Sequence, residues 1–374
     1  VLKLIAKTGM FISEPRGQNP KGVVMRKCVC PLSFIFAVLC VCSCDSSKKA
    51  KAYYSSGITL SDKGDFDGAI REYDRAIEIN PKYVEAYNNR GAAKAGKGDF
   101  GGAIPDYSKA IEINPNFALA YYNRGVARYY KGEIDNSIKD YDRAIELNPN
   151  HANAYYGRGL ARQSKNDFDG AIADYTKAIE ISPDFALAYC HRGIARYEKK
   201  DTDGAIADYT KAIEINPNYA EAYCNRGAAQ EDKGNPDSAI KDYVKAIEIN
   251  PNYAEAYHNR GNIRDGRGDF DGAISDYDKA IEANPNFASA YYNRAVARSS
   301  KDDLDGAISD YSKAIEINPT SELAYYNRAV ARYHKGDSKG AIEDYEEFLK
   351  LAPTHPLSPK AKEIVADLKK KPAK

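Results

Sequence analysis

The sequence predicts an all-α solenoid of about nine helix–turn–helix units, closed by a C-terminal capping helix. Nine prolines stand 34 residues apart: Pro81, Pro115, Pro149, Pro183, Pro217, Pro251, Pro285, Pro319 and Pro353. Small and aromatic residues recur at fixed places between them, at offsets of three and four, which is the period of a helix face. A strict repeat of this length marks one supersecondary unit stacked many times. Such a stack has no single enzyme-like core, so function is expected on the long surface that stacking creates.

The first unit is taken as residues 50–83. Its fourth residue is Tyr in every copy, from Tyr53 to Tyr325. The eighth is Gly from Gly57 to Gly261, then Ala295 and Ala329. The twentieth is Ala except at Ser137, the twenty-fourth is Tyr from Tyr73 to Tyr345, and the twenty-seventh is Ala until Phe348. These rows read as core. Glycine inside a helix costs roughly 1 kcal/mol against alanine, so its recurrence implies a partner helix too close for a larger side chain. Between the two helices a turn such as Lys63-Gly64-Asp65 ends the first helix at Gly and caps the second with Asp. Asn-Pro then stops the second helix, because the residue before proline is pushed out of the helical region.

This order of aromatic, Gly, Ala, Tyr, Ala and Pro resembles the tetratricopeptide repeat over residues 50–355. The resemblance implies a right-handed superhelix, a binding scaffold rather than an enzyme, and a concave groove lined by the first helix of each unit. Residues 356–374 are expected to form the capping helix and a basic tail. Ser358-Pro359 starts that helix, and Ala361, Ile364, Val365 and Leu368 form its apolar face.

The net charge is +1, so no strong field favours nucleic acid or an anionic membrane. No Ser/His/Asp set, phosphate loop or metal-spaced cluster is apparent, and no catalytic site, metal or cofactor is expected. Five of seven cysteines lie between Cys28 and Cys44. There Met25-Arg26-Lys27 precedes an uncharged run ending Val41-Cys42-Ser43-Cys44, which reads as a secretory signal over 25–43. Its end resembles a bacterial lipobox, and that resemblance implies lipidation at Cys44. Residues 1–24 are expected to lie upstream of the native start, and 44–49 to form a short tether. An ordinary signal peptide, a short anchor helix, or modification in the Cys42 frame are the competing readings.

By the family's geometry, the second, fifth, sixth, ninth, twelfth and thirteenth places of each unit face a ligand. The sixth is Asn89, Asn123, Asn225, Asn259, Asn293 and Asn327. An amide offers donor and acceptor together and can pair with both halves of a peptide bond. The competing use is a hydrogen bond between neighbouring repeats. The fifth place adds Tyr54, Tyr122, Tyr156, Tyr292 and Tyr326 as candidates for apolar pockets. In the same row Cys190, Cys224 and His258 come from different repeats, too far apart for one tetrahedral metal or a disulfide. The lysine–asparagine pattern with which some relatives clamp a C-terminal carboxylate is missing. Glu198, Glu221, Glu231, Asp232, Glu255 and Asp265 instead make the middle of the groove acidic.

The function expected is a non-catalytic scaffold binding extended protein segments, lipid-anchored in a bacterial envelope on the periplasmic or extracellular side. The alternative is a soluble cytoplasmic adaptor. Two structural expectations accompany it. Arginines at the seventh place should pair with the acidic twenty-third place, and Pro105 should weaken the second helix of repeat two.

Overall fold

The computed structural model describes the backbone of residues 33–370 and side chains of residues 46–370. Nineteen helices and no strand occur among these residues. They fall into two compact units, Val1–Lys199 and Lys200–Lys374. The first contains α1 (Ser33–Asp62), α2 (Phe66–Ile79), α3 (Val84–Gly96), α4 (Phe100–Ile113), α5 (Ala118–Tyr130), α6 (Ile134–Leu147), α7 (Ala152–Gln163), α8 (Phe168–Ile181) and α9 (Ala186–Glu198). The second contains α10 (Thr202–Ile215), α11 (Ala220–Asp232), α12 (Pro236–Ile249), α13 (Ala254–Gly266), α14 (Phe270–Ala283), α15 (Ala288–Ser300), α16 (Leu304–Ile317), α17 (Glu322–Lys335), α18 (Ser338–Leu351) and α19 (Ser358–Lys370).

Local chemistry sets the helix ends as the sequence implied. In the turn between paired helices, Gly64, Gly98, Gly132, Gly234, Gly268 and Gly336 adopt left-handed φ between 76° and 86°. Asn166, Lys200 and Asp302 hold the same conformation without being glycine. The next residue caps the second helix. Asp65 Oδ1 accepts from the Gly68 N–H at 2.9 Å, and Asp99, Asp167, Asp201, Asp269, Asp303 and Asp337 do the same three residues on. At the far end Asn80 Oδ1 accepts from the Lys82 N–H, an Asx turn that recurs at Asn114, Asn148, Asn216, Asn250, Asn284 and Asn318.

Helix pairs close on the tyrosine of the second helix. Tyr73, Tyr107, Tyr141, Tyr175, Tyr209, Tyr243, Tyr277, Tyr311 and Tyr345 are all buried. Where both helices lie in the same compact unit, the ring lies against the eighth place of the preceding helix. A Cβ on Gly159 would stand 2.6 Å from Tyr175 Cε1, and one on Gly57 2.5 Å from Tyr73 Cε1. The close approach accounts for the recurring glycine. At the C-terminal end, Ala361, Val365 and Leu368 of α19 cover Tyr345 and Phe348 of α18.

The stretch 44–49, expected as a tether, is instead helical and continuous with the first helix of repeat one. Nothing between Cys44 and Gly57 is a proline or glycine, so no residue stops the helix from extending back through Ser46, Ser47, Lys48 and Lys49. Residues 1–24 and the first part of 25–43 lie outside the described residues.

Candidate functional site

The arginine row is structural. Arg158 donates from Nε and Nη2 to Asp174 and from Nη1 to Asp142 of the preceding repeat. The same fork onto the twenty-third place is made by Arg90, Arg124, Arg226, Arg260, Arg294 and Arg328. The third donor reaches back one repeat, to Asp74, Ser108, Thr210, Asp278 or Ser312. Each guanidinium also lies over the tyrosine three residues before it, as Arg158 does over Tyr155 at 5.5 Å. A second cation, at the eleventh place, meets the same carboxylate in Lys94–Asp106, Arg128–Asp140, Arg162–Asp174, Arg264–Asp276, Arg298–Asp310 and Arg332–Asp344. Repeat one has Ser56 at the seventh place, and its Glu72 pairs with Arg75 instead.

Outer charges are likewise paired in register. Lys97 meets Asp67, and the pattern continues in Lys165–Asp135, Lys199–Asp169, Lys233–Asp203, Arg267–Asp237, Lys301–Asp271 and Lys335–Asp305. These exposed pairs are worth little individually. Sequence reasoning missed this row, although cation and acid 30 residues apart in repeat after repeat was a legible signal.

The asparagine row divides. Asn89 Nδ2 donates to Tyr54 Oη at 3.0 Å and Asn123 Nδ2 to Asn88 Oδ1 at 3.0 Å. Asn293 Nδ2 donates to Asn262 Oδ1 at 2.8 Å and lies 3.1 Å from His258 Nε2. Asn327 Nδ2 donates to Tyr292 Oη at 2.9 Å. The sixth place of one repeat thus bonds the fifth place of the repeat before it. Asn89, Asn123, Tyr122 and Tyr156 are buried at 4%, 0%, 1% and 4% exposure, so for these four the expectation of an open peptide-lining position is corrected. The spacing of adjacent first helices brings the fifth and sixth places into contact and spends their polar atoms there. Asn225, Asn259, Asn293, Asn327, Tyr292 and Tyr326 are half-buried.

His258 accepts from Asn293 at Nε2 if its Nδ1–H donates to Asn259 Oδ1, 3.2 Å away, and burial holds its pKa below the ordinary histidine value. His191 occupies the asparagine place in repeat five. It sits beside Tyr156 and Tyr175, its Nδ1 is buried with no hydrogen-bond partner, and desolvation lowers its pKa to about 4. Cys190 and Cys224 are buried and in no disulfide, and burial pushes Cys224 up to about 12. Among the described residues no group of three or more metal-type side chains converges.

The more open surface lies at the second, twelfth and thirteenth places of the first helices, where Ala95 is the one buried residue, with the mostly half-buried ninth place beside it. Among the described residues, depressions there include the following. One, between α5 and α7, is ringed by Tyr122, Tyr129, Tyr130 and Tyr156 and has room for about 10 Å³, little more than a water. Another is a cleft of about 450 Å³ where α15 and α17 run side by side, bounded by Val296, Ser299, Ser300, Val330 and His334 with Leu304 of α16 at its base. Leu323 and Tyr333 of α17 are exposed at 37% and 41%, large apolar side chains left to solvent.

Cys44 is helical in backbone, but its side chain lies outside the described residues. No helix among the described residues is long and apolar enough to cross a membrane.

Family models described as TPR repeat match residues 57–98, 93–132, 125–166, 161–200, 195–234 and 300–336. Models described as tetratricopeptide repeat match 220–253, 254–287, 276–309 and 322–355. No curated protein sequence matches the chain significantly. Among solved structures, a tetratricopeptide repeat protein from Parabacteroides merdae is 20% identical with a TM-score of 0.53, covering 67% of this chain and 99% of that one. Pseudomonas aeruginosa pilF is 20% identical with a TM-score of 0.51, covering 56% and 94%. The Cut9–Hcn1 hetero-tetramer of the APC/C gives 17%, 0.54, 81% and 59%. At these identities the likeness is one of fold.

Proposed function

This chain belongs to the tetratricopeptide repeat family, whose fold serves as a protein-interaction scaffold, and we propose that it binds extended segments of partner proteins without catalysing a reaction on them. One observation carries this reading. The stack consumes the fourth, seventh, eighth, twentieth, twenty-third and twenty-fourth places with near-constant residues, whereas the second, twelfth and thirteenth vary from repeat to repeat and, buried Ala95 excepted, are at least partly exposed. Leu119, Leu187 and Leu323 share the second place with Glu221 and Glu255, and Tyr129, Tyr197 and Tyr333 share the twelfth with Glu231 and Asp265. A surface freed from packing duty and chemically varied along its length suits segments of protein. Nucleic acid is a poor fit, because the arginine rows are neutralised within the stack.

Photo-crosslinking in cells tests this. A photoreactive residue at Ser299 should capture polypeptide, and one at Lys279, exposed on a second helix, should not. Equal capture at both would refute a groove.

The location belongs to the same proposal. The charged start, apolar run and Val41-Cys42-Ser43-Cys44 support export and acylation of Cys44 on a bacterial membrane. Two or more acyl chains are needed for stable anchoring, at about 0.8 kcal/mol per buried methylene. Labelling with radioactive palmitate should be lost in Cys44→Ser and kept in Cys42→Ser. Loss in Cys42→Ser alone moves the modified residue, and no labelling at all returns the chain to the cytoplasmic adaptor reading.

A further inference from the structure

Within the second compact unit, four carboxylates on the first helices lack the ion pairing that the eighteenth and twenty-third places show. Carboxylates at the eighteenth and twenty-third places are matched by a cation in register along the stack. Glu221 and Glu231 of α11, and Glu255 and Asp265 of α13, make no ion pair among the described residues. Glu231 accepts from the Tyr243 hydroxyl at 3.1 Å, and Asp265 Oδ1 is buried with no hydrogen-bond partner. Burial raises the carboxyl pKa values of Glu221, Glu231 and Asp265, and no cation among the described residues stands beside them to offset it. All four sit at the second or twelfth place, on the same line of the first helices as the 450 Å³ cleft two repeats on. In repeat eight those places are Ser289 and Ser299, and the thirteenth is Ser300. Small side chains there leave open the space that Tyr129 and Tyr130 occupy in repeat three.

Resting on the groove reading above, we propose that repeats six to nine receive an extended partner segment carrying lysine or arginine together with an aliphatic side chain. The cations meet Glu221, Glu231, Glu255 and Asp265, and the aliphatic group enters the cleft between Val296 and Val330. Charge complementarity selects this occupant over an acidic or neutral one, since an acidic segment would add repulsion to carboxylates that already lack partners. The cleft adds the second requirement, an apolar group that displaces water from between two valines.

The test is selection from a random dodecapeptide library displayed on phage against the full chain, followed by binding of the enriched peptides in synthetic, fluorescein-labelled form. Enriched peptides should combine Lys or Arg with Leu, Ile or Val. Their affinity should fall about tenfold or more in the combined variant Glu221→Gln, Glu231→Gln, Glu255→Gln, Asp265→Asn, and should weaken with salt. Ser300→Tyr, which copies a side chain that repeat three carries at that place, should reduce binding only of peptides that contain the aliphatic residue. Unchanged melting temperatures would confirm that both variants fold. Enrichment of acidic or uncharged peptides that compete for Ser299 crosslinking would overturn this proposal and leave the groove reading standing. Enrichment of no peptide would overturn both.

Discussion

Arg158 grips both carboxylate oxygens of the buried Asp174 and, with its third nitrogen, reaches back 2.6 Å to Asp142 of the preceding repeat. One side chain therefore ties helix to helix and repeat to repeat. Asp174 is 3% exposed at its side chain, and burial raises its pKa even though Arg158 and Arg162 pull it down. Removing one partner of a buried pair leaves the other charge uncompensated, which costs about 3–5 kcal/mol. Arg158→Ala should fall near the lower end, because Arg162 still meets Asp174 at 2.8 Å. Arg158→Lys should recover only part of the loss, since a point charge cannot fill a fork. Denaturant midpoints of the three proteins check this; a loss under about 1 kcal/mol for Arg158→Ala would show the pair to be ornamental.

The turn between α9 and α10 makes a different demand. Lys200 has φ of 66°, in the left-handed region where a side chain costs about 1 kcal/mol or more. Six other repeats use glycine there. Lys200→Gly should stabilise the chain by about 0.5–1 kcal/mol, the relief of strain outweighing the greater freedom of glycine in the unfolded state. Gly234→Ala, at φ of 76°, should destabilise it. A lowered melting temperature for Lys200→Gly would contradict the strain argument.

How far such features were legible depends on whether one unit contains all the partners. The Gly64 turn, the Asp65 cap and the Gly159–Tyr175 contact are local to a repeat, so spacing alone revealed them. The arginine fork onto the twenty-third place is also internal, and charge at fixed offsets was enough to expect it. The fate of Asn89 and Asn123 was not legible. An amide satisfies a ligand or a neighbour equally well, and the choice is made by the distance between adjacent first helices. Only the structure showed Asn123 reaching Asn88, 35 residues away. The helical run before Ala50 was not anticipated, because a short polar stretch suits a tether as well as a helix and the 34-residue spacing says nothing of what precedes the first unit.

Histidine in place of asparagine in repeat five makes stability depend on pH. His191 titrates at about 4 when folded, against an ordinary value of 6.5. Above pH 6.5 it is neutral in both states and contributes no pH dependence. As pH falls from 6.5 towards 4, the unfolded chain binds a proton that the folded chain refuses. Stability is then lost at no more than about 1.4 kcal/mol per pH unit across that window. His191→Asn, the residue that six other repeats carry there, should remove this component while leaving those of His151 and His258 in place. The gap in melting temperature between variant and wild type should widen from pH 7.5 to pH 4.5. A constant gap would mean that His191 is protonated in the folded protein.

Repeat two should open before its neighbours. Pro105 lies inside α4, at the place that Ala173 holds in α8, and it has no N–H to return to the carbonyl four residues back. A proline inside a helix costs up to ~3 kcal/mol from the missing bond and the ring's clash with the preceding turn. Gly101 and Gly102 lower the propensity of the same turn further. Asp99 still caps the helix by accepting from the Gly102 N–H at 2.8 Å, so the weakness begins beyond the first turn. Pro236 incurs no such penalty, because it stands first in α12, where the N–H has no helical partner in any case. Hydrogen exchange should find residues 99–113 less protected than residues 167–181, and Pro105→Ala should raise protection in the former range only. Equal protection in the wild-type chain would mean that Tyr107 and Ala103, both fully buried against neighbouring helices, hold α4 closed in spite of its proline.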